Sequence, residues 1–171
     1  MKFKLVPEPP ADRAVVADLQ AAVPLVPGSE DDCCARLMDR RGLRSRDVAR
    51  TWLTFLRALG LTEETPSGFK RVRTSPTLDG LRRGFLDGVY GAAEVAAALR
   101  DAGEGDPLSV REAFDALRDD VPNWERNRTD DWEDVWTERA ARTLDWFVLL
   151  DLAERRGDGY VATDALEAHP E

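Results

Sequence analysis

The stretch RDVARTWLTFLRALGLTEETPSGFKRVR, residues 46–73, decides the fold because it joins a helix to a hairpin. Its first part has apolar residues at helical spacing, and Gly60 ends that pattern. Two short segments, 61–63 and 69–72, have the length of strands, and the proline and glycine between them are typical of a hairpin loop. The stretch therefore predicts an amphipathic helix followed by a two-stranded hairpin.

Two further helices are predicted before this stretch. Apolar residues recur at helical spacing over 11–23, and prolines and a glycine then end the first helix. The second helix is predicted over 29–42, with Ser29 as its N-cap and acids in its first turn. The third is predicted over 45–60. Three helices followed by a hairpin is the element order of a winged helix, in which the second and third helices form a helix-turn-helix.

The same order of elements recurs in the second half of the chain. A gapless shift of 91 residues pairs Leu53 with Leu144 and Phe69 with Tyr160, and it keeps the apolar positions in register. The predicted elements there are helices over 91–103, 109–121 and 129–155, and a hairpin over 156–163. The sequence thus predicts a mainly α protein with small β-hairpin wings (α+β), built from two tandem winged-helix units packed together.

The predicted domain boundaries follow from this repeat. The N-terminal winged-helix unit covers 1–76 and carries a basic face, and the acidic C-terminal winged-helix unit covers 91–171. Between them, residues 77–90 have apolar residues at helical spacing and are predicted to form a connecting helix.

Composition excludes several classes of function. No apolar run approaches the roughly 20 residues of a membrane span, and the N-terminus has no apolar segment of signal-peptide length, so we expect a cytoplasmic protein without membrane contact. The chain contains one histidine, His169, and two adjacent cysteines, Cys33 and Cys34, which excludes a zinc-ligand set and disfavours a disulfide between them. Whether these thiols are redox-active stays open. Catalytic and phosphate-binding motifs are absent, so we expect neither an enzyme nor a cofactor.

Charge is divided unevenly along the chain. The net charge is −9, and Arg outnumbers Lys by 21 to 3 while Asp outnumbers Glu by 20 to 13. This composition resembles that of proteins from salt-loving archaea, in which an acidic surface says little about partners. Residues 1–76 carry a net charge of +3, whereas residues 77–171 carry −12. Local charge therefore predicts a nucleic-acid partner for the first unit only.

Basic residues cluster around the predicted helix-turn-helix and wing of the first unit. In a DNA-binding winged helix the start of the third helix enters the major groove, and the wing reaches phosphates or the minor groove. Arginine suits these contacts because its planar guanidinium pairs bidentately with guanine or phosphate. The predicted DNA-binding residues are Arg40, Arg41, Arg44, Arg46, Arg50, Lys70, Arg71 and Arg73. The alternative is a solvated basic face whose charges pair with Asp39, Asp47, Glu63 and Glu64.

The second unit is predicted not to bind DNA, because acids at the start of its third helix would repel phosphates. These acids are Asp130, Asp131, Glu133 and Asp134. Trp124, in the loop before that helix, is the candidate anchor for a protein partner. Trp132 and Trp136 are one turn apart and are predicted to form a buried stripe, with an aromatic partner site as the alternative.

Residues 29–73 resemble the winged-helix superfamily, including regulators of the MarR and ArsR type. The residues that carry this resemblance are the helix ending in Leu-Gly-Leu, the acids after it and the glycine-tipped basic hairpin. With its second copy the chain is also similar to uncharacterised tandem winged-helix proteins of haloarchaea. The resemblance implies DNA contacts by Arg44, Arg46, Arg50, Lys70 and Arg71.

The resulting hypothesis is a transcription regulator that binds double-stranded DNA through the first unit. A homodimer, or a protein partner held by the second unit, would complete the assembly. The alternative is a protein-interaction module that does not bind DNA, such as the tandem winged-helix subunits of chromosome-organising complexes.

Overall fold

The computed structural model describes residues 2–168, which form two compact units. The first unit ends at Val89 and the second begins at Tyr90. Each contains the three helices and the two-stranded antiparallel hairpin that the sequence predicts, and the second unit has an additional short helix before its hairpin. The helix predicted as a connector, 77–90, is found at 78–88 and counts with the first unit. Within residues 2–168, no helix combines the length and hydropathy needed to cross a membrane.

The helices and strands of the first unit lie within a few residues of their predicted bounds. Its elements are α1 (Ala14–Ala22), α2 (Glu30–Arg41), α3 (Arg46–Ala58), β1 (Thr62–Thr65), β2 (Gly68–Arg71) and α4 (Leu78–Gly88). The hydroxyl groups of Ser29 and Ser45 accept hydrogen bonds from the backbone N–H groups of Asp32 and Val48, which caps α2 and α3. Gly42 ends α2 in the left-handed conformation, with φ of 66°, and so permits the sharp turn into α3.

Aromatic side chains of α3 and α4 pack against each other in the core of the first unit. The ring of Phe55 makes edge contacts with Trp52 at 5.7 Å and with Phe85 at 6.0 Å between centroids, and all three side chains are buried. Helix α4 approaches the end of α3 closely, because a Cβ at Gly88 would collide with the carbonyl oxygen of Ala58. Apolar burial and backbone proximity together hold α4 in the first unit.

In each unit, one residue outside the hairpin also pairs with the second strand of the wing, and the sequence did not indicate this pairing. Gly28, in the connection between α1 and α2, exchanges two backbone hydrogen bonds of 2.9 and 2.8 Å with Phe69 of β2. The sequence predicts only a break there, because one residue of extended backbone leaves no periodic pattern. In the second unit Leu108 and Tyr160 form the same pair of bonds, at 2.8 and 2.9 Å.

The second unit repeats the helices and the hairpin of the first, with one helix inserted before its long helix and a further short helix after the hairpin. Its elements are α5 (Ala92–Ala102), α6 (Val110–Leu117), α7 (Asn123–Arg128), α8 (Trp132–Leu149), β3 (Ala153–Arg156), β4 (Gly159–Ala162) and α9 (Asp164–Glu167). A shift of 91 residues places β1 on β3 and β2 on β4. The predicted third helix, which ran to Arg155, was therefore too long. The chain ends α8 at Leu149, and Asp151 adopts a positive φ of 56° before the strand starts.

The insertion is helix α7, which the sequence analysis assigned to a loop. Trp136 and Trp146 are buried, as is Trp52 in the first unit. Trp132 is only partly buried, so the predicted buried stripe holds for Trp136 but not fully for its neighbour one turn away. The guanidinium groups of Arg118 and Arg126 lie 5.9 and 4.8 Å from the centroid of the Trp132 ring.

The two cysteines are free and both are buried. Burial raises the pKa of the Cys33 and Cys34 thiols above their usual value. Because the thiolate is the reactive form, both residues act as small core side chains at neutral pH.

Candidate nucleic-acid interface

The turn between α2 and α3 carries the most available positive charge of the first unit. Arg40 and Arg41 occupy the last turn of α2, and Arg44 lies in the turn itself. All three are exposed, and none forms an ion pair with another residue in the range 2–168. The left-handed Gly42 places these side chains around a single tight turn. Their guanidinium groups are free to bind an anion.

The start of α3 also presents arginines, but acids accompany them. Arg46 pairs with Asp31 of α2, and Arg50 pairs with Asp47 at 2.6 Å. About half of each arginine side chain stays exposed, 53% for Arg46 and 50% for Arg50. Exposed pairs of this kind contribute only about 0.2–1 kcal/mol, so a phosphate can displace the carboxylate.

Arg57 belongs to the same exposed face of α3, although the sequence analysis did not single it out. It lies at helical spacing from Arg46 and Arg50 and pairs with Glu64 on β1. The spacing of seven residues from Arg50 would have been a usable signal, since i and i+7 lie on one helix face. Its ion pair ties the helix to the wing.

The wing divides its basic residues between two faces. In the register of the hairpin Lys70 stands opposite Glu63, and their side chains pair at 3.7 Å. Arg71 stands opposite Thr62, which is buried, so Arg71 lies on the face of the wing turned toward the rest of the unit. Arg73 follows the strand and is exposed. The register therefore puts Lys70 and Arg71 on opposite faces of the wing.

Most of the acids named in the alternative interpretation form ion pairs with basic residues of α3 and the wing. Asp47, Glu63 and Glu64 pair with Arg50, Lys70 and Arg57 respectively. Asp39 is exposed and, within residues 2–168, forms no ion pair. The basic face is thus partly neutralised along α3 and the wing, and it is not neutralised at the α2–α3 turn.

The corresponding face of the second unit lacks this charge. The 91-residue shift replaces Arg46, Arg50 and Arg57 with Thr137, Ala141 and Val148. Arg139, on the same helix, is largely buried against Glu125, with a distance of 3.4 Å between their charged atoms. Burial lowers the pKa of that guanidinium, and the Glu125 carboxylate opposes the shift. Helix α8 therefore offers no equivalent of the arginine face on α3.

Trp124 lies on α7 with 57% of its surface exposed. The next residue, Glu125, accepts a hydrogen bond of 3.0 Å from the indole N–H of Trp136, which ties α7 to α8. The structure thus places Trp124 on an anchored helix instead of the predicted loop. In the part of the chain described, no group of three or more His, Cys, Asp or Glu residues is arranged to hold a metal ion.

The similarity of this chain to a known protein family covers both units. Neither the curated proteins nor the solved structures gave a match. The halobacterial double winged helix domain matches residues 1–167, and it is a winged-helix family that indicates no enzyme. Its fold is typical of DNA-binding proteins. The match spans both units, so the chain belongs to the halobacterial double winged helix domain family.

Proposed function

We propose that the protein is a transcription regulator that binds double-stranded DNA through α3 and the wing of its first unit. The observation that carries this proposal is the cluster of Arg40, Arg41 and Arg44 at the α2–α3 turn, exposed and without ion pairs within residues 2–168. In a helix-turn-helix this turn and the start of the next helix face the duplex. Free guanidinium groups there are suited to phosphates and guanine edges.

The ionic strength of the medium decides which contacts contribute to DNA affinity. At about 1 M ionic strength the Debye length is about 3 Å, so diffuse attraction between charges is largely screened. Counterion release also yields little affinity under those conditions. Binding in concentrated salt must then rest on bidentate contacts between arginines and base edges, for which Arg44, Arg46 and Arg50 are the candidates.

The test is DNA binding measured by fluorescence anisotropy, with genomic fragments and a random duplex titrated from low to molar salt. We expect some fragments to stay bound at high salt, and the triple variant Arg44→Gln/Arg46→Gln/Arg50→Gln to lose this binding. The matched control is Arg83→Gln/Arg111→Gln/Arg156→Gln, which removes three exposed arginines outside this face. Full binding by the first variant would refute the assigned site. Absence of binding to every fragment would refute the DNA-binding function.

For the second unit we propose a protein contact centred on Trp124, with a second copy of the chain as the partner. The supporting observation is that this large aromatic side chain is 57% exposed on α7, a helix without a counterpart in the first unit. Exposed tryptophan is a typical anchor of protein interfaces. A dimer would present two α3 helices to two half-sites. Sedimentation should show a wild-type dimer and a Trp124→Ser monomer; a monomeric wild type would refute self-association.

A further inference from the structure

A pocket of about 350 Å³ lies in the first unit, on the side of the wing that Arg71 faces. Its walls come from the second half of α1, the connection after α1 and the segment that follows β2. The residues that matter for its chemistry are Gln20, Leu25, Arg71, Arg73, Ser75 and Pro76. Its volume falls at the lower end of the range for small-molecule sites, about 300–1,000 Å³.

Within the described range 2–168, two arginines and no acidic residue line this pocket. Neither Arg71 nor Arg73 forms an ion pair with any residue in the range 2–168, in contrast to Arg46, Arg50 and Arg57 of α3. The pocket therefore attracts anions.

The Nε atom of Arg71 adds a second, independent observation. It is buried and has no hydrogen-bond partner among residues 2–168. Buried donors in folded proteins are nearly always satisfied by protein, water or a bound ligand. The donors of the Arg71 guanidinium are thus not all satisfied within the described part of the protein, although Arg71 lines the pocket.

The walls of the pocket are held by a small network of hydrogen bonds. The side-chain amide of Gln20 donates to the carbonyl oxygens of Leu61, Val72 and Thr74 at 3.2, 3.0 and 3.1 Å. The backbone N–H of Arg71 donates to the carbonyl oxygen of Pro24 at 2.7 Å. These bonds fix the segment after β2 against α1. The pocket is thus formed before any ligand arrives.

We propose that this pocket binds a small organic anion, a carboxylate attached to a short aliphatic group. The guanidinium of Arg71 pairs with the carboxylate, for which its planar donor geometry is suited. The aliphatic part lies against Leu25, which is 44% exposed, and against Pro76. This site goes beyond the proposed DNA contact, because the pocket-lining residues within the range 2–168 do not include Arg44, Arg46 or Arg50.

The test uses the full chain, labelled with ¹⁵N, and follows amide chemical shifts by NMR during titration with 3-methylbutanoate. We expect saturable shifts at Val72, Arg73 and Ser75. The neutral isostere 3-methylbutanamide should bind at least about tenfold more weakly, since it lacks the charge that Arg71 recognises. Inorganic phosphate should also bind more weakly, because it lacks the aliphatic group. Equal binding of phosphate would overturn the assignment to organic acids.

Variants locate the site. Arg71→Gln should weaken 3-methylbutanoate binding at least about tenfold, and Arg71→Lys should weaken it less, because lysine keeps the charge but not the bidentate geometry. Arg73→Gln provides a second probe should Arg71→Gln disturb the fold. Arg83→Gln, an exposed arginine of α4 outside the pocket, is the control and should bind normally. Unchanged binding in both Arg71→Gln and Arg73→Gln, or absence of saturable shifts in the wild type, would overturn the proposal.

Discussion

The guanidinium of Arg155 lies 2.7 Å from the carboxylate of Asp145 and joins strand β3 of the second wing to helix α8. In the first unit the same two elements are joined by Arg57 on the helix and Glu64 on the wing. The polarity of the helix–wing ion pair is therefore reversed between the two copies. Each unit thus joins its wing to the helix before it by an ion pair. Only in the first unit does the helix supply the positively charged partner of that pair.

In the second unit Asp145 is also expected to stabilise the folded state through a hydrogen bond with Tyr160. The hydroxyl group of this buried residue donates a 2.8 Å hydrogen bond to Asp145. Asp145→Ala removes the acceptor and should lower the free energy of unfolding by about 1–2 kcal/mol, measured by urea denaturation. Glu154→Ala, which removes an exposed acid of the same wing, is the control and should change stability by less than about 0.5 kcal/mol. Equal effects of the two changes would contradict a specific role for Asp145.

The same tyrosine makes stability depend on pH in alkali. Burial raises the pKa of Tyr160, and its hydrogen bond to Asp145 raises it further. The folded state therefore holds the phenol proton more tightly than the unfolded state does, whose pKa is about 10. This contribution is fully present below pH ~10 and is lost as the pH rises through the folded-state pKa.

We expect the free energy of unfolding of the wild type to fall as the pH rises above about 10, the pKa of an unfolded tyrosine. Tyr160→Phe should fall less steeply above that pH, in urea titrations at several pH values. Some decline remains in this variant, because burial also raises the pKa of Tyr90. An identical pH dependence of the wild type and Tyr160→Phe would show that the phenol does not titrate with folding.

Much of the fold could be predicted from the sequence because its signals are local. Helical periodicity, serine caps and glycine ends mark α2 and α3, and the 91-residue register carries the wing into the second unit. Helix α7 was missed because six residues are too short to show a period. The pairing of Gly28 with Phe69 was missed because it joins positions far apart in the chain.

The candidate site was less predictable, because its ion pairs also join positions far apart in the chain. Composition locates the arginines, but their partners depend on tertiary structure: Arg46 pairs with Asp31, fifteen residues away. The direction of Arg71 depends on the register of the hairpin, since a one-residue slip would turn it to the other face. Sequence therefore indicated which residues are basic, whereas the fold decides which guanidinium groups are free.

Close packing between α3 and α4 makes Gly88 sensitive to substitution. In an exposed helix, replacing glycine with alanine stabilises by about 1 kcal/mol. At Gly88 the added Cβ would meet the carbonyl oxygen of Ala58, so Gly88→Ala should instead destabilise the protein by about 1–3 kcal/mol in thermal or urea unfolding. Gly105→Ala is the control, because a Cβ there has nothing within 4 Å. A Gly88→Ala variant as stable as the wild type would show that α4 is not packed this closely.

The ion pairs on α3 should restrain DNA binding if that helix is the contact surface. Asp31 and Asp47 hold Arg46 and Arg50, and a phosphate or base must displace them. Asp31→Asn/Asp47→Asn should therefore strengthen DNA binding by about two- to thirtyfold in anisotropy titrations, since each of the two exposed pairs is worth about 0.2–1 kcal/mol.

The matched control for that variant is Asp32→Asn/Asp39→Asn. Like the test variant it removes two negative charges, here both from α2. Both acids are exposed and, within residues 2–168, neither forms an ion pair. A smaller gain in the control would assign the effect to the released arginines. An equal gain would mean that net charge alone governs affinity, and no gain in either variant would remove α3 from the contact surface. These outcomes separate recognition by specific guanidinium groups from general attraction, which concentrated salt would suppress.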